Sequence, residues 1–134
     1  MSYAVPRCLH VIAEIGIADA LGENPRTAAD LAASTGANAD ALARALRLLS
    51  AYGIFAPSND ISGSKGYVHT LASRLLRTDH PQSMRSFVRM IGSPVDWKGF
   101  EFLDHSMRTG EPSTEQIMPG GTWAYFAQHP EESR

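Results

Sequence analysis

Five histidines, His10, His69, His80, His105 and His129, and one cysteine, Cys8, are the side chains of this sequence best suited to hold a metal or attack a substrate. A zinc site built from a short motif needs His pairs at i,i+4 or paired cysteines, and these six residues are scattered singly, so no metal site is predicted. Glu101 and His105 fall on one helix face, as do Asp104 and Arg108; i,i+4 pairs of this kind are usual on solvated helix surfaces. Gly63-Ser64-Lys65-Gly66 and Pro119-Gly120-Gly121 supply glycines without the remaining positions of a phosphate-binding loop, and are expected to be turns. Cys8 on an apolar helix face is most simply a small core hydrophobe. No catalytic and no cofactor-binding residue is expected in this chain.

The elements that carry these residues centre on 26–56. Thr27 opens a helix with Asp30 three residues on, and Gly36 stops it in the left-handed conformation. A second helix starts at Asn38, turns Leu42, Ala45, Leu46, Leu49 and Tyr52 to one face, and ends at Gly53. Ile54 and Phe55 predict a strand that returns as Tyr67 to His69 across a Gly/Ser/Asn-rich loop. Helix, tight turn, helix and hairpin make a winged helix-turn-helix pattern over 27–69. The outer face of the second helix offers Asp40, Ala43, Arg44, Arg47 and Ser50, and the wing loop Ser58 to Gly66 has one lysine, Lys65, against Asp60. That is thin for a reader of the major groove.

Upstream, Ala4 to Gly16 is a helix whose strongly polar residues Arg7, His10 and Glu14 form one narrow stripe, with apolar residues around the rest. A surface helix normally buries a narrower face. Either the helix lies at the centre of a monomer's core or a second chain covers it. Ile17 to Leu21 is one further short turn. Downstream, Thr70 caps Leu71 to Leu76, and Pro81 opens a helix with Met84, Phe87, Val88 and Ile91 inward and Gln82, Arg85, Ser86 and Arg89 outward. Ser93-Pro94-Val95-Asp96 launches another to about Thr109, with Trp97, Phe100, Leu103 and Met107 inside. Thr122 caps a last short helix. His129-Pro130-Glu131-Glu132 is a helix-start signal followed by two residues only, Ser133 and Arg134, which suggests a fragment of a longer chain.

At 134 residues, 43% of them apolar, the chain is expected to form one globular domain. Twelve basic against 14 acidic residues give a net charge of −2, so nucleic acid and anionic membrane surfaces are not expected partners. One cysteine fits a reducing compartment, and the apolar runs of 1–21 are interrupted by Pro6, Arg7, His10 and Glu14; a cytoplasmic protein without signal peptide or membrane span is predicted.

The stretch GIADALGENPRTAADLAASTGANADALARALRLLSAYGIF, followed by YVHTLASRLLRTDHPQSM, SPVDWKGFEFLDHSMRTGEP and TWAYFAQHPEES, resembles the N-terminal dimerisation domain of the S-adenosylmethionine-dependent small-molecule O-methyltransferases of plant phenolic and bacterial antibiotic-tailoring type. The resemblance lies in the order and spacing of the pieces. It implies a mainly α fold: a winged-helix dimerisation domain with a small β-hairpin wing over 27–69 and additional helices over 70–134. It further implies a homodimer, with Val5, Leu9, Ile12 and Ile15 at the interface, and a partial pocket for a small aromatic or polyketide-like acceptor. Family positions match Pro6, Arg7 and Cys8 near the partner's pocket, and Phe87, Met90, Trp97 and Phe100 as pocket walls; plain core packing is the alternative for these. The family's glycine-rich S-adenosylmethionine motif and His base lie in a C-terminal Rossmann-like domain absent from this chain, which alone is expected to be catalytically silent. Ser113-Thr114 stands where many relatives have an aromatic residue, and Met1 falls where they often have a dozen more residues. The alternative reading is a small winged-helix DNA-binding or ligand-sensing regulator.

Overall fold

The computed structural model describes residues 3–61 and 63–132, and the side chains of these except Asp60 and Ile61. The charge expected at Asp60, and the expectations at Met1, Ser133 and Arg134, lie outside the described residues. The chain packs as two compact units, Met1–Arg89 and Met90–Arg134. The first therefore extends past the hairpin into helices that the sequence pattern groups with the C-terminal segment.

In the first unit, α1 (Ala4–Ile15) ends on Gly16 at φ +82, with the Gly16 N–H donating to the Ile12 carbonyl. Only glycine adopts that backbone cheaply. α2 (Ile17–Leu21) follows at once. α3 (Ala28–Thr35) is capped by Thr27, whose side chain accepts from the Asp30 N–H, and α4 (Ala39–Ala51) by Asn38, which accepts from the Ala41 N–H. The core gathers Ile12, Ile17, Leu21, Leu31, Leu46 and Leu49, each no more than 2% exposed. Of the five residues expected inward on α4, Leu42, Leu46 and Leu49 are buried and Ala45 is partly so; Tyr52, at the helix end, is 62% exposed.

The expected Ile54–Phe55 strand is not formed. Gly53 and Phe55 both have positive φ, 76° and 66°, and turn the chain so that the Phe55 ring enters the core at 1% exposure. The strand begins one residue later as β2 (Ala56–Ile61) and pairs antiparallel with β3 (Ser64–Val68). β2 contains Pro57, Ser58, Asn59 and Asp60, residues that favour turns, which is why its pattern reads as a loop. A third strand, β1 (Arg26–Thr27), pairs antiparallel with β3, giving the order β1-β3-β2.

α5 (Leu71–Arg74) opens on a complete capping box between Thr70 and Ser73. The helix expected from Pro81 starts only at Arg85: α6 (Arg85–Ile91) has no fully buried residue, and of the stripe expected inward only Val88 packs against the core. Met84, Phe87, Met90 and Ile91 are 38–55% exposed. The arginines instead face α1. Arg85 Nε donates to the Ala13 carbonyl at 2.9 Å, its Nη1 donates to Thr78 Oγ1 and lies 3.7 Å from Asp19, and Arg89 pairs with Glu14. Charged partners along α1 and α2 outweigh periodicity here. The same seat corrects the polar stripe of α1, where His10 is buried at 8% and Glu14 is the anchor for Arg89.

In the second unit, the long helix expected from Ser93 is broken at Phe102 into α7 (Pro94–Glu101) and α8 (Leu103–Thr109). Ser93 caps α7, accepting from the Asp96 N–H, and Pro94 stands in its first turn. Val95 is buried, whereas Phe100, Leu103 and Met107, expected inward, are 45–79% exposed. A 3-10 helix (Ser113–Gln116) and the buried Met118 complete the packing, and α9 (Thr122–Gln128) starts from Gly121 rather than from a Thr122 side-chain cap. Among the described residues no helix is long and apolar enough to cross a membrane.

Candidate functional site

Among the described residues, the histidines and the cysteine do not gather into one site. His69 is held by structure: its Nε2 lies 3.0 Å from the Ala18 carbonyl and its Nδ1 2.8 Å from the Ser73 hydroxyl, with Phe55 stacked at 5.8 Å. A carbonyl only accepts, so Nε2 carries the proton and Nδ1 accepts from Ser73. Burial pushes the imidazole below its ordinary value of about 6.5, helped by Arg74 and Arg77 and opposed by the Ala18 bond and Glu23. Ser73 is 0% exposed and His69 half-buried, so this pair ties the end of β3 to α2 and α5 with both imidazole nitrogens engaged by the fold. A depressed histidine pKa stabilises the fold above the unfolded value and loses that contribution as pH falls through it. His10 shifts the same way, from burial first and Arg7 second. Urea midpoints should therefore drop between pH 7.5 and 5.5. The shifted carboxylates act only in more acid solution, Glu23 being held at about 2 by its bonds to Arg74 and Arg77. A midpoint flat across this window would refute the assignment of neutral His69 and His10.

Glu101 closes α7 while His105 lies on α8, so the two do not share a helix; His105 Nε2 instead lies 3.6 Å from Glu111. Asp104 and Arg108 pair at 3.9 Å on an exposed face. A cluster that histidine spacing misses is His129, Glu131 and Glu132, whose ligand atoms lie within 4.8 Å of one another. Its groups bond among themselves and to the Tyr125 hydroxyl, and Glu131 is exposed. Consecutive residues in one turn produce it, a signal present at His129-Pro130-Glu131-Glu132.

Gly63 and Gly66 belong to the hairpin, and Gly120 and Gly121 follow a 3-10 helix rather than a strand. Among the described residues there is thus no strand-to-helix glycine turn of the kind that holds a dinucleotide or S-adenosylmethionine. On α4, Asp40 lies 3.3 Å from Arg44 and both are mostly exposed, which places an anion on the face a DNA reader would use.

One concave surface of the second unit is a groove of about 280 Å³ between α7, α8 and the 3-10 helix. Val95, Leu103 and Met118 are its apolar lining residues with Phe100, which is 73% exposed, and Asp96, Ser113 and Thr114 are its polar ones. Of the residues expected in a pocket, Phe100 alone lines it. Trp97 is half-buried on α7, Phe87 and Met90 are exposed on α6, and Arg7 is half-buried on α1. Ser113 and Thr114 stand out in the sequence only as a departure from relatives. Of the residues expected at an interface, Val5 and Leu9 are half-buried and Ile15 is 38% exposed. Ile12, at 2%, is a core residue of its own chain and offers no free surface.

The family model of the O-methyltransferase dimerisation domain matches residues 1–79. The chain is 35% identical over 132 residues to a phenazine O-methyltransferase of Lysobacter antibioticus, covering 98% of this chain and 37% of that protein. It is 34% identical over 124 residues to a mitomycin biosynthesis 6-O-methyltransferase of Streptomyces lavendulae, covering 92% of this chain and 35% of that one. It thus spans little more than a third of the length of these relatives. Among solved structures, LaPhzM superposes with a TM-score of 0.87 at 34% identity, over 100% of this chain and 39% of that chain. An O-methyltransferase from neocarzinostatin biosynthesis, solved with S-adenosylmethionine and 2-hydroxy-5-methyl naphthoic acid, superposes with a TM-score of 0.77 at 35% identity, over 97% of this chain and 39% of that chain. This chain belongs to the O-methyltransferase dimerisation domain family.

Proposed function

We propose that this chain is the dimerising and acceptor-lining portion of an S-adenosylmethionine-dependent O-methyltransferase acting on a small aromatic or polyketide-like molecule. The observation that carries the dimer is the apolar surface left uncovered on two helices of the first unit: Val11 and Ile15 on α1, and Met84 and Phe87 at α6, all 38–51% exposed. Exposed apolar surface of this extent along adjacent elements is typical of an association site. The helices and hairpin over 27–69 are read as a winged-helix arrangement serving this association rather than DNA. Val5, Leu9 and Ile15 border the interface; Phe100 lines the acceptor pocket, and Arg7, Phe87, Met90 and Trp97 are assigned to it by the family resemblance alone. In this reading the cofactor is held by a separate Rossmann-like domain, and the present chain positions acceptor and partner without moving protons or methyl groups itself.

Two measurements test this. Light scattering coupled to size exclusion should give twice the chain mass at tens of micromolar, and a stable monomer there would defeat the dimer. Calorimetric titration of the 134-residue chain with S-adenosylmethionine should show no saturable binding; micromolar binding would overturn the division of labour proposed here.

A further inference from the structure

Resting on the reading of this chain as an acceptor-lining domain, we propose that the α7–α8 groove selects a planar aromatic acceptor bearing a hydroxyl or amino group and disfavours one bearing a carboxylate, and that Asp96 sets this preference. The groove's size, about 280 Å³, lies at the small end of ligand pockets and suits one or two fused rings. Its apolar side, Val95, Leu103 and Met118, takes a ring by burial, with Phe100 available to stack. Its polar lining residues are one aspartate and two hydroxyl-bearing residues, and among the described residues no lysine, arginine or histidine lines it. An acceptor carboxylate would sit beside Asp96 with no cation among the lining residues to offset the repulsion, while a hydroxyl or ammonium donates to it. Asp96 stays placed because the Ser93 hydroxyl donates to its Oδ2 at 3.3 Å and its own N–H is tied to Ser93 Oγ.

Gly99 provides a way to close the groove without harming the fold. It lies within α7 and lines the groove, its φ is ordinary, and a Cβ built there meets nothing within 4 Å. A larger side chain at this position extends into the groove and also improves helix propensity.

The test uses isotope-labelled 134-residue chain and three matched probes, 1-naphthol, 1-(aminomethyl)naphthalene and 1-naphthoate, titrated by amide chemical shift. Shifts centred on Gly99, Leu103 and Thr114 are expected, with the two donor-bearing probes binding roughly fivefold or more tighter than the carboxylate, the effect of one unscreened charge at groove distance. Asp96→Asn should erase that gap, and Gly99→Leu should abolish binding of all three while raising thermal stability. A naphthoate preference, or a gap that survives Asp96→Asn, overturns the charge selection and leaves the acceptor-lining reading standing. No shift with any probe at millimolar concentration, or binding indifferent to Gly99→Leu, overturns the groove as a site; the dimer, tested by mass, is unaffected.

Discussion

Ile12→Asp should unfold the first unit rather than simply dissociate a dimer. The side chain is 2% exposed and packs within the central cluster with Ile17, Leu21 and Leu46. Losing the aliphatic chain costs about 2–5 kcal/mol and stranding a carboxylate adds several more, against a total stability of roughly 5–15 kcal/mol for a domain. Protonating the new carboxyl lessens the penalty without restoring the contacts. Ile15, three residues on and 38% exposed, is the contrasting site: Ile15→Asp should keep the helical signal and lower the mass in solution. Circular dichroism melts alongside light scattering separate the two. An Ile12→Asp variant melting cooperatively within a few degrees of wild type would show that the site opens to water, contrary to its burial.

The second large effect is expected at Arg85. Its side chain is 23% exposed and joins three segments, donating to the Ala13 carbonyl and to Thr78 while facing Asp19. Hydrogen bonds that involve a charged group contribute about 1.5–3 kcal/mol, and cutting this one residue takes the donor from the Ala13 carbonyl and the cation from beside Asp19, which keeps its bonds from Thr78. Arg85→Ala should cost about 2–4 kcal/mol in urea unfolding. Arg89, whose pair with Glu14 is 42% and 61% exposed, should cost under about 1 kcal/mol when changed to alanine. Arg85→Lys should recover only a fraction of the loss, because one ammonium cannot hold the positions of a planar fork. Equal costs for Arg85→Ala and Arg89→Ala would refute the anchoring role.

The contrast between these arginines shows what can be read in the sequence. Local signals suffice wherever one residue type satisfies one backbone need: Thr27, Asn38 and Thr70 as caps, Gly16 and Gly36 as left-handed stops. The buried side of α4 follows from leucine spacing because nothing competes with it. Periodicity holds at α6 only for Val88, which packs against the core, while Met84, Phe87 and Ile91 look like part of the same stripe and are exposed. There the orientation depends on Glu14 and Asp19, about seventy residues upstream, and no local pattern reports a partner at that distance. β2 is hidden because sheet pairing to β3 overrides the turn preferences of its residues. The groove is half visible: Phe100 through the family resemblance, and Ser113 and Thr114 only as an oddity until α7, α8 and the 3-10 helix place them beside Asp96.

Phe55 carries a consequence for how freely this chain can change. A phenylalanine in the left-handed region sacrifices about 1–2 kcal/mol of backbone preference, while its ring, 1% exposed, is worth about 3–5 kcal/mol against truncation. Glycine would relax the backbone and forfeit the ring. A β-branched residue would keep some apolar volume and worsen the backbone. Other aromatic residues keep the ring and the strain alike, and tyrosine adds a hydroxyl with no room to be solvated. Position 55 therefore has no single step to a better sequence, and relief requires the Gly53 to Phe55 turn and the pocket that receives the ring to change together.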